Sequence, residues 1–214
     1  MTPGVEAAFR EYTNHEAFTY VDYWGSLEVG TNEALFQRFL FAYCSVHTTW
    51  EGNVRGYKAL RDFKSWLDDD DALAARLKTS GVGLYNNRTR FIGDFAHRFW
   101  SRPSWYWRAP RESWPAYRDR IERDSLGLGP AKVSFALEMA FPLGAEVLCL
   151  DVHMLRLYNA RPAGLRVGEY HRLEADWVAR ARAVELPSYI VKQMHWDRQQ
   201  GKPDSRYWSY VLEE

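Results

Sequence analysis

Two glycines one residue apart, Gly127 and Gly129, interrupt a chain that otherwise reads as one helix after another. Glycine turns through positive φ without steric cost and leaves neighbouring amides uncovered. Standing just before an apolar helical stretch at Lys132–Phe141, the pair predicts a tight hairpin whose amides meet an anion at the start of the next helix. Further along, the run Val147-Leu148-Cys149-Leu150 delivers the carboxylate of Asp151 to another helix start, where it can be held and aimed. A phosphate-holding turn followed by an aimed acid points to chemistry on the DNA backbone or on a sugar attached to it.

The surrounding sequence is helical in period. Asn32–Tyr43 carries apolar positions at helical spacing, with Thr31 or Asn32 as its cap. The same reasoning predicts helices over Tyr57–Leu67, Asp71–Leu77, Asn87–Trp100, Trp114–Arg123, Lys132–Phe141, Val152–Tyr158, Glu169–Ala183 and Pro187–Gln199. Val147–Leu150 has strand propensity, but no alternating stretch is long enough for a sheet, so it reads as an extended approach to Asp151. The expected class is all-α. With 214 residues, no linker and no repeat, the chain reads as one domain built as two helical lobes, with residues 1–30 as an N-terminal extension.

The charge balance is even, 28 basic against 28 acidic residues. Phosphate neutralisation supplies much of the affinity of DNA-binding proteins, so this weighs mildly against such a partner. Net charge does not report distribution, however. Arg88, Arg90, Arg98, Arg102, Arg108 and Arg111 cluster in sequence, while Asp68–Asp71 form one acidic block. Four consecutive carboxylates cannot all face one metal ion, so the block is expected to be a solvated loop capping the helix at Ala72–Lys78. No secretory signal or membrane-length apolar run is present. The expectation is a monomer in the cytoplasm or associated with the nucleoid. Cys44 and Cys149 lie in apolar stretches and read as reduced core residues.

Gly127-Leu128-Gly129 and Asp151-Val152-His153 resemble the hairpin and the Asp-x-His segment of the helix-hairpin-helix DNA glycosylases, the superfamily of endonuclease III, the adenine glycosylases and 8-oxoguanine glycosylase. Gly83-Leu84-Tyr85-Asn86-Asn87-Arg88 resembles the start of a superfamily helix upstream of the hairpin. Leu35–Ser45 is similar to the first barrel helix, and Ile190–Trp196 to the last. In the family's order, these segments span about residues 30–200.

The resemblance implies a two-lobed helical glycosylase fold and a duplex DNA partner carrying a damaged or modified base. Such an enzyme rotates the nucleotide out of the stack and breaks its glycosidic bond. Asp151 would stabilise the positive charge that develops on the deoxyribose. Capping of the following helix is compatible with that role, and His153 reads as its support. Gly127, Gly129, Ala131 and Lys132 would contact DNA, Arg88 would join them, and carbonyls of Leu126 and Gly129 would hold a Na+ or K+ ion. Tyr43 has two readings, a wedge entering the DNA or a core residue of its helix. Two cysteines are too few for the four-cysteine iron–sulfur cluster that many endonuclease III relatives carry.

Bifunctional relatives add a lysine that attacks C1′ and forms a Schiff base. Their lysine follows the second hairpin glycine by two positions; here Ala131 stands there and Lys132 comes one later. One residue rotates a helical side chain by about 100°. Without a compensating insertion, Lys132 is a phosphate or structural lysine and the enzyme a monofunctional hydrolase; with one, it is the nucleophile.

The aromatic stretch Trp100–Arg108 interleaves rings with arginines, either to stack on exposed bases or to fold back on the protein. Tyr85, Trp196, Trp208 and Tyr210 are further rings that could line a pocket. A second functional reading keeps the fold but makes the chain a transferase or accessory domain in phage-type thymine hypermodification. A third is a silent DNA-binding module, which the retention of Asp151 opposes.

Overall fold

The computed structural model describes residues 3–12, 15–161, 165–199 and 201. Among them the regular structure is entirely helical: α1 (Pro3–Tyr12), α2 (Glu16–Ser26), α3 (Asn32–Cys44), α4 (Trp50–Leu60), α5 (Asp70–Ser80), α6 (Tyr85–Ser101), α7 (Trp114–Asp124), α8 (Pro130–Ala140), α9 (Val152–Leu157), α10 (Val167–Ala183) and α11 (Ser188–Gln199). The caps are those the sequence offers. Thr31 accepts from the Ala34 amide at 3.1 Å, and Asp69 of the acidic block accepts from Ala72 at 2.9 Å. Among the described residues, no group of acidic, histidine or cysteine side chains forms a metal cluster, and no helix is long and apolar enough to cross a membrane.

Two boundaries differ from expectation. Helix α4 lies upstream of the predicted Tyr57–Leu67, and a short 3-10 turn at Phe63–Ser65 follows it. Gly52, Asn53 and Gly56 are weak helix formers, which hid this helix from propensity. Packing selects them: a Cβ at Gly56 would stand 2.9 Å from Val82 and 3.4 Å from the Cys44 sulfur. The helix stops at Leu60, whose carbonyl accepts from the Trp66 indole at 2.8 Å. The second difference is in residues 3–26, which form α1 and α2 and pack on α11.

Contacts divide the chain into two compact units, the first comprising Met1–Glu28 and Leu137–Glu214, the second Val29–Ala136. In the second unit, α3, α4, α5 and α6 pack around Phe36, which is fully buried. The Phe36 ring lies 5.0 Å from Phe63, 5.9 Å from Phe95, 5.2 Å from Phe99 and 5.5 Å from Trp100. In the first unit, α11 is the central element, with α1, α2, α9 and α10 against it. Its Tyr189 ring meets Trp24 at 5.0 Å, and Trp177 of α10 meets Phe9 at 4.6 Å. The Tyr20 hydroxyl donates to Asp197 at 2.7 Å, giving the buried carboxylate a partner.

Removing the ring at the centre of the second unit should be costly. Phe36→Ala should lower unfolding free energy by about 3–5 kcal/mol in urea titrations. The exposed Phe18→Ala should change it by less than about 0.5 kcal/mol.

Candidate active site

The hairpin forms where the glycines predict it, but the glycines do different work. Helix α7 ends at Asp124, and the Leu128 amide bonds back to the Ser125 carbonyl at 3.0 Å, closing the turn. Gly127 has φ of +88°, and a Cβ there would fall 2.3 Å from the Phe91 ring. Both the backbone angle and the close ring require glycine. Gly129 lacks the positive φ expected of it, and a Cβ there would meet nothing within 4 Å. It leaves the backbone bare on an exposed surface. Pro130 then opens α8, a position where its missing N–H costs nothing. The amides of Gly127, Gly129 and Ala131 bond to no acceptor among the described residues. Together they form an exposed donor set at a helix start.

Three other expectations at the hairpin are corrected by burial. Tyr43 is 3% exposed, with its ring 5.2 Å from Phe95. Its hydroxyl donates to the Leu126 carbonyl at 3.1 Å, so it braces the hairpin from within instead of entering DNA. Burial raises its pKa well above the usual phenol range. Arg88 is likewise buried, and all its bonds go to backbone: Nε to the Gly83 carbonyl at 3.0 Å, and the terminal nitrogens to the carbonyls of Tyr43 and Val46. A guanidinium committed to three carbonyls is a clamp and not a phosphate contact. The carbonyls assigned to a monovalent cation do not fit one either. That of Gly129 already accepts from Lys132 and Val133 at 3.0 and 3.1 Å, and that of Leu126 takes the Tyr43 hydroxyl.

The Arg88 clamp holds two strained residues that sequence reasoning passed over. His47 follows Val46 with φ of +47°, and Leu84 follows Gly83 with φ of +49°. Left-handed backbone at a residue with a side chain costs about 1–3 kcal/mol and persists only where surroundings enforce it. Leu84 and Tyr85 are exposed at the start of α6, as is Leu126 at the hairpin tip. Only the Gly83-Leu84 pair, with glycine where none is needed for packing, hinted at this turn in the sequence. Lys132 sits on the first turn of α8, its ammonium 5.5 Å from the Phe135 ring. Ala131 occupies the position before it.

The aromatic stretch folds back on its own unit. Tyr106 is fully buried and donates to Asp124, and the Trp107 indole donates to Asn32 at 2.7 Å. Its arginines are committed to protein: Arg102 lies 4.4 Å over Trp105 and bonds Asp124, while Arg120 spans Glu112 and the Trp105 and Trp107 carbonyls. The sequence cluster of arginines is therefore mostly an internal network. Trp196 is half-buried on α11; Trp208 and Tyr210 lie outside the described residues.

In the first unit, the residues before Asp151 run extended with no strand beside them. Every buried backbone donor or acceptor still needs a partner, and buried side chains provide several. Glu138 on α8 accepts from the Cys149 amide at 3.1 Å, and Glu174 on α10 accepts from Leu148 at 2.8 Å. Tyr170 donates to the Leu148 carbonyl, and Ser188 to that of Ala145 at 3.0 Å. The Asp151 amide closes onto the Cys149 carbonyl at 2.9 Å, turning the chain into α9.

Asp151 caps α9 with one oxygen. Its Oδ1 accepts from the amides of His153 and Met154 at 2.9 and 3.0 Å. Its Oδ2 receives no hydrogen bond among the described residues, and the side chain is half-exposed. Beside it, the buried ammonium of Lys192 pairs with Glu138. Burial works against that ammonium, but the carboxylate of Glu138, together with Cys149 and Asp151, outweighs it and raises the lysine pKa. His195, one turn further along α11, is held below its usual pKa by burial, against the pull of Asp151. Its Nδ1 lies 3.3 Å from the Tyr12 hydroxyl. Cys44 and Cys149 are both free and buried, and burial pushes the Cys44 thiol up to about 12.

No protein-family model matches the sequence. No curated protein matches it either. Solved structures do. The 8-oxoguanine DNA glycosylase of Thermotoga maritima superposes with a TM-score of 0.74 at 21% identity, over 94% of this chain and 99% of that one. The 8-oxoguanine DNA glycosylase of Methanocaldococcus jannaschii gives 0.73 at 20% identity, over 92% and 94% of the two chains. A 8-oxoguanine glycosylase/lyase from the same archaeon, in complex with a 15mer DNA containing 8-oxoguanine, gives 0.71 at 21%, over 92% and 97%. The chain thus has the all-helical fold of the helix-hairpin-helix DNA glycosylases across nearly its whole length.

The two hairpin glycines should respond differently to a methyl group. Gly127→Ala, with positive φ and a ring in the way, should destabilise by more than about 1 kcal/mol. Gly129→Ala should stay within about 0.5 kcal/mol of the parent in thermal melts.

Proposed function

We propose that this protein is a DNA N-glycosylase that removes a damaged or modified base by hydrolysis through Asp151. The observation that carries the reading is the state of that carboxylate. One oxygen is locked by two helix amides, the other is left for a water or a developing charge, and the chain before it is held by buried side chains. The same fold in the Thermotoga and Methanocaldococcus 8-oxoguanine glycosylases supports the assignment. Duplex DNA carrying 8-oxoguanine is accordingly the first substrate to test.

Cleavage of an N-glycosidic bond leaves positive charge on the deoxyribose as the base departs with the bonding electrons. A carboxylate fixed near C1′ stabilises that charge, and its free oxygen can orient a water for attack. Water supplies hydroxyl to C1′ and its proton leaves to solvent or base, giving free base and an abasic site. Hydrogen bonds from His153 and Met154 amides hold Oδ1 without consuming Oδ2.

The hairpin amides of Gly127, Gly129 and Ala131 suit one phosphate of the duplex. A ring of carbonyls for a cation is not needed for that, since the donors are already aimed outward. Leu84, Tyr85 and Leu126 supply the exposed apolar surface that could meet bases around the extruded nucleotide. Lys132, one position past Ala131 and drawn over Phe135, serves as a phosphate or structural lysine. The enzyme is then a monofunctional hydrolase. No observation favours the thymine-hypermodification reading.

Asp151→Asn keeps the cap oxygen and removes the charge. Base release in single-turnover assays should fall by at least about 100-fold, while duplex affinity and melting temperature change little; undiminished turnover would sink the assignment. Borohydride added during base release should trap no protein–DNA adduct, and the abasic product should persist until heat or alkali cleaves it. Lys132→Gln should retain most turnover. A strong adduct that vanishes in Lys132→Gln would mean that the lysine is the nucleophile.

A further inference from the structure

The pair formed by Glu138 and Lys192 is buried on both sides, with side-chain exposures of 0% and 3%. Neither residue belongs to the hairpin or to the Asp-x-His segment. Buried ion pairs seldom stabilise a fold more than apolar residues of the same volume, so a pair in this place invites a role beyond packing. Its position suggests one. The Lys192 ammonium bonds one oxygen of Glu138, the other oxygen takes the Cys149 amide, and the Cys149 carbonyl takes the Asp151 amide. An unbroken line of hydrogen bonds therefore runs from the ammonium to the residue that carries the chemistry. Lys192 and His195 are three residues apart and share a face of α11. Asp151 acts electrostatically on both, so this face looks towards the carboxylate.

We propose that Lys192 is a positioning residue for Asp151: anchored by Glu138, its buried ammonium is the fixed positive charge that keeps the half-exposed Asp151 carboxylate ionised, while Glu138 fixes the chain that carries it. The inference rests on the reading of Asp151 as the reacting carboxylate. That reading needs an anion in a partly buried place, where loss of water favours the protonated acid. The groups that bear on Asp151 are Glu138 from α8, Cys149 before it, His153 from α9, and Lys192 and His195 from α11, with Glu11 of α1 acting on His195. Burial keeps His195 below its usual range, which leaves Lys192 as the standing cation of this set.

The test reads the charge of Asp151 directly. The full-length protein is labelled with 13C-carboxyl aspartate, the Asp151 resonance is assigned by its loss in Asp151→Asn, and its titration is followed by NMR. Lys192→Met removes the cation and should raise the Asp151 midpoint by about one pH unit or more. Glu138→Gln keeps the hydrogen bond to Cys149 but removes the competing carboxylate, and should lower the midpoint. The double variant Glu138→Gln with Lys192→Met should fall between the two, and it remains informative if Lys192→Met alone fails to fold. A purely structural pair would move both single variants in the same direction or neither, and either result overturns the proposal. Base release measured against pH separates this from the functional reading. Midpoints that move as expected in a protein that releases no base would uphold the charge coupling and discard the glycosylase. Base release with an unmoved Asp151 midpoint would do the reverse.

Discussion

The extended run from Ala145 to Leu150 has no neighbouring strand, and the first unit is organised around that deficit. An unsatisfied buried amide or carbonyl costs about 1–3 kcal/mol. Glu138, Glu174, Tyr170 and Ser188, drawn from α8, α10 and α11, supply the missing partners. Two of these are carboxylates buried to 3% exposure or less, which the interior tolerates only with donors in place. The arrangement ties three helices to one short segment and ends at Asp151. The position of the acid is thus a consequence of how the chain solvates its own backbone.

The second unit shows the same economy with positive charge. Arg88 is spent on the carbonyls of Gly83, Tyr43 and Val46, and Arg120 on Glu112 and two loop carbonyls. What the unit presents outward at the hairpin is backbone: free amides ahead of α8, framed by the exposed Leu126 and by the strained turn at Leu84. This reconciles a chain of zero net charge with a proposed DNA partner. One phosphate held by amides needs no lysine or arginine, and steering by a broad basic field is not part of the design.

Much of the fold was legible. Helix period, caps at Thr31 and Asp69, and the glycine turn at Gly127 depend on residues near one another in sequence, and each survives in the structure. The same local logic failed at α4, where tight packing on Val82 overrides the poor propensity of Gly52 and Gly56. It failed again at Tyr43 and Arg88. A tyrosine and an arginine at a helix end look like surface groups until a partner many residues away, the Leu126 or Gly83 carbonyl, draws them in.

Sequence by itself determined the all-helical class, the hairpin, and the arrival of Asp151 at a helix start, because glycine stereochemistry, apolar period and capping act within a few residues. Only the tertiary structure decided that Gly129 is bare where Gly127 is strained, and that one oxygen of Asp151 is used for capping while the other stays open. It also brought Glu138 and Lys192 together, on helices 54 residues apart in the chain. A buried charge can exist only where its counter-charge and hydrogen-bond donors converge, and that convergence is a property of packing which no local pattern encodes.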